Sequence, residues 1–411
     1  MEKITLPRPG GSASPKLLLQ TPHRLMFFIG ASNLLLAMAW WALWLASTRW
    51  PAWTMPQTSV PPGWLHAFLM QYLVFPSFIF GFLLTVFPRW MGLGETTRWH
   101  YVPVGAGLMG GQLAILLSTA GWEVGLVIGL WMAVAGWSAG LVILGKLVAD
   151  ERGCTWHARS CYAALVLGYI GLLGFLAFVL GASPAWTFAS MKIGSVMLLL
   201  PIYLTVAHRM FPFFASGVVP GYKPWRPMWW LAAAWALLLV HLGLELVHAY
   251  AWLWLVDLPL LALFGLMLWR WWPRGEAPGL LWVLFVGFAW LPLAFALYAT
   301  QSLLYLSTGE FLMGRGPGHA LFIGFFGSLL VAMVTRVTQG HSGRPLAMPK
   351  VGWFAFGLLQ LVTIVRLLGE VLPDPGRWQL LAGIGWMLAF TPWVLRHLGI
   401  YLRPRRDGKP G

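Results

Sequence analysis

The sequence predicts an all-α protein, a polytopic membrane bundle of about twelve transmembrane helices, and three observations carry that reading. Of 411 residues, 59% are hydrophobic and 9% charged, with a mean hydropathy of +0.73. A water-facing fold of this size cannot cover so much apolar surface. The apolar residues fall into runs of about 20, the length that crosses a hydrocarbon core about 30 Å thick at 1.5 Å rise per residue. Lipid offers no partner to an unpaired backbone group, so long continuous runs resolve as helices rather than as a barrel.

Taken in order, the chain opens with MEKITLPRPGGSASPK, which lacks the layout of a cleavable signal, so the first run is expected to be retained. That run covers about 24–46, and the proline-rich PAWTMPQTSVPPG separates it from a second at about 65–87. Runs three and four follow at about 101–119 and 124–148, and a polar loop, CTWHARSC, leads into the fifth at about 161–181. The sixth, about 187–208, carries Lys192, and PGYKPWRP ends it. The seventh and eighth lie at about 228–248 and 251–271, the ninth at about 280–300. Residues 301–317 read as the longest connection on their side, lying in the interface. The tenth run, about 318–338, ends at GRPLAMPK, and the last two span about 351–372, with Arg366 inside, and 379–402. Tryptophans such as Trp40, Trp41, Trp44, Trp50 and Trp53 crowd the ends of the spans as interfacial anchors. One integral-membrane domain is expected over 1–411, with an N-terminal tail at 1–23 and a basic tail at 403–411.

Two internal echoes point to two six-helix halves. HRLMFF at 23–28 is repeated as HRMFPFF at 208–214. HAFL and GFLLTVFPR in the second run match HALF and GSLLVAMVTR in the tenth. Two such halves would meet at a central site, as in many transporters.

The net charge of +15 is distributed by topology. With twelve spans, only Arg49, Arg315 and Arg377 fall on the side opposite the termini, and Lys192 and Arg366 fall within spans. Every other basic residue lies on the terminal side, which the positive-inside rule makes cytoplasmic in a bacterial inner membrane. The basic balance therefore implies anionic lipid as a partner and excludes nucleic acid. The two cysteines, Cys154 and Cys161, lie on that reducing side, and with His157 they fall short of a zinc pattern. Soluble-enzyme signatures, including HExxH, a nucleophile elbow and a phosphate-cradling loop, are missing.

Ionisable groups in lipid are costly and usually functional. On the side away from the termini, His66 opens the second run and His319 the tenth. In HLGLELVH, His241, Glu245 and His248 recur at i, i+4 and i+7, one helical face suited to a metal or haem. Glu245 would orient an imidazole, and Met70, one turn after His66, offers a thioether to copper or haem. A salt bridge between His241 and Glu245 is the plainer alternative. On the terminal side stand His23, His100, His157, His208, His341 and His397, with Arg209, Arg336 and Arg344 available to haem propionates, lipid phosphates or another anion. Snorkelling toward headgroups accounts for these arginines equally well. Lys192 is a possible partner for Glu245.

One stretch is more specific. HALFIGFFGSLLVAMVTRVTQGHSGRPL, residues 319–346, resembles the signature of the NnrS family, HALxxGxxGxxxxxxMTRVxxGHTGRPL, with His319, Gly324, Gly327, Arg336, Gly340, His341, Gly343 and Arg344 in place. GFLLTVFPRWMG at 81–92 is similar to a second block, with Arg89 where asparagine is usual, and HRMFPFF to a third. The resemblance covers nearly the whole chain. It implies a cytoplasmic-membrane protein containing haem, expected as b-type, and copper, made in response to nitric oxide and tied to denitrification and nitrosative stress. One departure concerns copper: the family commonly has WHAHE, whereas WLHAFLM at 64–70 keeps His66 but has Phe68 and Leu69 in place of the second His and the Glu.

The expected function is therefore haem-based handling of nitric oxide or a related nitrogen oxide. His66 and His319 are the expected ligands, His241 or His248 a further one, and Glu245 supports them; Arg336 and Arg344 would hold propionates or the inner helix ends. Turnover, which would need an electron donor, remains open beside sensing. The competing readings are a secondary transporter, favoured by Lys192, Glu245 and Arg366, and a haem-copper oxidase-like subunit.

Overall fold

A computed structural model describes residues 12–50, 54–56 and 58–408. Lys3, Arg8, Trp53 and Lys409 of the sequence reading lie outside the described residues. The described secondary structure is helical throughout, and twelve helices are long and apolar enough to cross a membrane. They are α1 Pro22–Ser47, α2 Pro62–Met91, α3 Arg98–Ser118, α4 Gly125–Asp150, α5 Trp156–Val179 and α6 Ala185–Ser216. The second six are α7 Met228–Leu246, α8 Trp254–Trp271, α9 Gly279–Thr308, α10 Gly316–His341, α11 Lys350–Leu368 and α12 Pro375–Tyr401. The all-α, twelve-span architecture expected from the hydropathy is the one observed.

Two boundaries differ in ways that matter. QSLLYLST continues α9 to Thr308 instead of forming an interfacial connection. Nothing in it breaks a helix until Gly309, whose φ of +74° closes the last turn in the left-handed region. In the other direction, α7 stops at Leu246, and His248 takes a φ of +56°. The helical register that would carry His248 onto the face of His241 and Glu245 therefore ends before reaching it.

Three spans carry π-helical turns: Leu69–Val74 in α2, Ile193–Leu199 in α6 and Ala320–Gly327 in α10, every fourth span of the chain. In α2 the cause is local. Pro76 has no N–H to give the Tyr72 carbonyl four residues earlier, and the Trp137 indole donates to that carbonyl instead, at 2.9 Å. Pro201 stands in the same relation to the turn in α6. No proline follows the turn within α10; there the turn lies where Gly324 meets the Trp290 ring, so closely that a Cβ would approach it to 2.6 Å. Such turns redirect side chains at functional sites.

The chain divides into two compact units that do not follow its order. One comprises Met1–Ser183, Val334–Leu346 and Phe390–Gly411; the other comprises Pro184–Met333 and Ala347–Ala389. In the first, α3 and α4 pack backbone to backbone: a Cβ on Gly107 would stand 2.5 Å from the Gly136 Cα, and one on Gly129 would stand 2.5 Å from the Gly111 carbonyl oxygen. Small residues at such spacing are how helices attract one another where lipid removes the hydrophobic drive. Buried Asn33 of α1 binds α3 through its own backbone, its carbonyl accepting from Gln112 Nε2 at 2.6 Å. In the second unit, a polar ladder joins α9, α10 and α11: Trp290 Nε1 donates to Gln360 Oε1 at 2.6 Å, and Gln360 Nε2 donates to Ser328 Oγ at 2.8 Å.

Candidate functional site

Four ionisable side chains from three helices of the second unit form one buried chain. Lys192, the last residue before the π turn of α6, places Nζ 2.5 Å from Glu245 Oε1. Glu245 Oε2 lies 3.5 Å from His241 Nε2, one turn earlier on α7. His241 Nδ1 lies 2.7 Å from Asp257 Oδ1, in the first turn of α8, where the helix dipole favours an acid. Exposure is 1% at His241, 3% at Glu245 and zero at Asp257; only Lys192 reaches the surface in part. Tyr298 and Phe295 set their ring edges against the imidazole, at 5.5 and 5.9 Å between centroids.

Charge fixes what this chain can do. Ionised carboxylates only accept, and each ring nitrogen of His241 faces a carboxyl oxygen, so a protonated imidazole would donate in both directions. With Lys192 it balances the two carboxylates. The salt bridge between His241 and Glu245 is thus present, and a metal at this imidazole would have to displace one of the two carboxylates. Glu245 pairs with both Lys192 and His241. Asp257 is the member that sequence reasoning missed; a lone carboxylate inside WLWLVDLPLL was the available signal.

His248 is apart from this chain. It is exposed, its Nδ1 lies 2.7 Å from the Tyr250 hydroxyl, and its ring sits 4.9 Å from that of Phe188.

The two expected haem histidines are each placed by local geometry. His319 stands on the last residue before the π turn of α10, half-buried, and its Nδ1–H donates to the Arg315 carbonyl at 2.9 Å. That bond makes Nε2 the lone-pair nitrogen, the tautomer a metal takes. His66, also half-buried, stacks on Trp41 with centroids 4.6 Å apart and planes 8° from parallel. Met70 is buried one turn later, within the π turn of α2. His66 belongs to the first unit and His319 to the second.

The helix that holds His319 also carries the residues by which the chain can be classified. A family model described as "NnrS protein" matches residues 17–405. The chain belongs to the NnrS family. No curated protein matches it. The NnrS signature now acquires physical content: Gly324 gives way to the Trp290 indole, Gly327 to Leu359, and Gly343 takes a φ of +66° against Asp407. His341 closes α10, and its ring lies 4.3 Å from that of His23. Arg336 is half-buried near the same end of α10, and Arg344 follows in the turn.

Arg366 pairs with Glu370 at 2.5 Å across the end of α11, so its depth in the sequence does not mark a pathway. Cys161 is buried and Cys154 exposed. Among the described residues, no group of three or more His, Cys, Asp and Glu side chains stands together to hold a metal ion. After His66, Phe68 and Leu69 offer copper no donor side chain, and no chemistry is assigned to copper.

Proposed function

We propose that this NnrS family protein binds haem, with His319 of one unit and His66 of the other each a candidate axial imidazole in its own right, and that it handles nitric oxide or a related nitrogen oxide in the bacterial cytoplasmic membrane, both termini facing the cytoplasm. The observation that carries the reading is the Nδ1–H bond from His319 to the Arg315 carbonyl, which orients a basic Nε2 at the mouth of a π-distorted helix. Haem would supply an iron that binds nitric oxide at an open axial position. With Cys154 and Cys161 spaced as CTWHARSC and no CxxCH in the chain, ligation rather than thioether bonds would hold it, as in a b-type haem.

The chain's own groups define the surroundings. Arg336 stands 17 residues after His319 on α10, about 26 Å along the axis at 1.5 Å per residue, and Arg344 follows the helix, which favours the inner helix end over a haem on His319 as what they hold. The positive-inside distribution supports the orientation.

An optical spectrum with metal analysis of the purified protein tests this reading. A Soret band that shifts on adding nitric oxide and is lost in His319→Ala is expected, and a loss in His66→Ala would give that histidine a ligand role of its own. A folded wild type that stays colourless after growth with ample haem refutes it. The buried Lys192, Glu245, His241 and Asp257 chain favours a second reading, proton-coupled transport. Uptake into proteoliposomes that follows an imposed pH gradient and is lost in Asp257→Asn would establish it.

A further inference from the structure

Three span ends come together in the first unit on the side from which both termini emerge: the start of α1 and the ends of α10 and α12. Arg24, in the first turn of α1, is only 3% exposed and donates from Nη1 to the Tyr401 and Arg403 carbonyls at 3.2 and 3.0 Å. The tail beyond α12 returns to the signature turn, where the Arg406 N–H donates to the Ser342 carbonyl at 3.0 Å. These bonds bring Arg24, Arg344, Arg396, Arg403 and Arg406 into one cluster.

Among the described residues, guanidiniums outnumber carboxylates in the cluster. The charges acting on Arg344 are those of Arg406, Arg396, Arg403 and Arg24, all of the same sign. Burial first, then these neighbours, hold its guanidinium below the usual arginine range, yet arginine keeps its charge in proteins. Arg344 Nη1 is buried with no hydrogen-bond partner. The Asp407 carboxylate, which lies against Gly343, binds Arg405 at 2.7 Å, and Glu95 faces Arg89 at 3.5 Å. A second orphan stands beside Arg24, where His23, 3% exposed, buries its Nδ1 without a partner. A buried donor left unmade costs about 1–3 kcal/mol, more when charged, so the unpartnered Arg344 Nη1 among five guanidiniums marks a place where an acceptor belongs.

We propose that this cluster binds a phosphate-bearing anion, anchored by Arg344 over Arg24, with Arg396, Arg403 and Arg406 around it. The level in the membrane selects phosphate. The cluster lies within a few residues of three span ends, at the depth of headgroup phosphates, and each guanidinium can fork onto two phosphate oxygens. The anion is the phosphodiester of an anionic lipid or a free phosphate. Only first-unit residues are involved, so the proposal stands or falls apart from haem binding at His319.

The test is thermal unfolding of the full chain at matched ionic strength, in two arms. One titrates inorganic phosphate in neutral detergent; the other compares nanodiscs of phosphatidylcholine alone with nanodiscs containing phosphatidylglycerol. Stabilisation of the wild type in the first arm identifies a free phosphate, and stabilisation only in the second identifies a lipid. In Arg344→Gln the apparent affinity should fall about tenfold, the loss of one charge-assisted contact worth about 1.4 kcal/mol. Exposed Arg406→Gln, which risks little to folding, should weaken it in the same direction. No stabilisation in either arm, or an equal response in both variants and the wild type, overturns the proposal.

Discussion

The ion chain of Lys192, Glu245, His241 and Asp257 is balanced only as a whole. Removing one member leaves a buried charge unpaired, at a cost of about 3–5 kcal/mol, whereas removing a pair together costs far less. We expect Glu245→Gln and Asp257→Asn to lower the unfolding temperature sharply. Lys192→Met with Glu245→Leu should unfold closer to the wild type than Glu245→Leu alone, as a double-mutant cycle on thermal unfolding will show. At this scale the sequence revealed much. Lys192 and Glu245 stand out as charges inside apolar runs, and they do pair. Asp257 was equally visible in composition, but its meaning depended on a contact between α7 and α8 that no spacing encodes. His248 was misplaced because a regular i+7 pattern presumes a helix that continues, and α7 ends two residues earlier.

Helices here are shaped by contacts as much as by their own periodicity. The Gly324 backbone and the Trp290 indole share one space, so Gly324→Leu should overpack α10 and cost about 1–3 kcal/mol in thermal unfolding. Trp290→Ala in the same chain should relieve part of that loss, although it gives up the bond to Gln360. Gly107→Leu at the α3 and α4 contact has no such relief, because its neighbour is the Gly136 backbone rather than a side chain that can be trimmed. The existence and order of the spans followed from apolar run length. Their π turns did not: Pro76 and Pro201 announce a missing donor, but a kink, a break and a π turn are all possible answers, and the Trp137 indole at the Tyr72 carbonyl supports the one adopted.

For the molecule as a whole, twelve spans return the chain to the side on which it began, and the basic residues cluster there. A reporter that is active only in the cytoplasm should therefore work when fused after Gly411 or in the loop following α8, and fail in the loop between α9 and α10. The reverse pattern would invert the proposed orientation. The sequence by itself determined the fold class, the number and order of spans, the charge asymmetry and, through residues 319–346, the family. These are properties of composition and local spacing, and the lipid solvent leaves a long apolar run few alternatives to a helix. The tertiary structure alone decided which polar groups meet. It gave His241 to two carboxylates, turned His248 away, and gathered the arginines of α1, the signature turn and the C-terminal tail into one cluster. Each of those contacts joins residues far apart in the chain, where geometry depends on packing that periodicity cannot express.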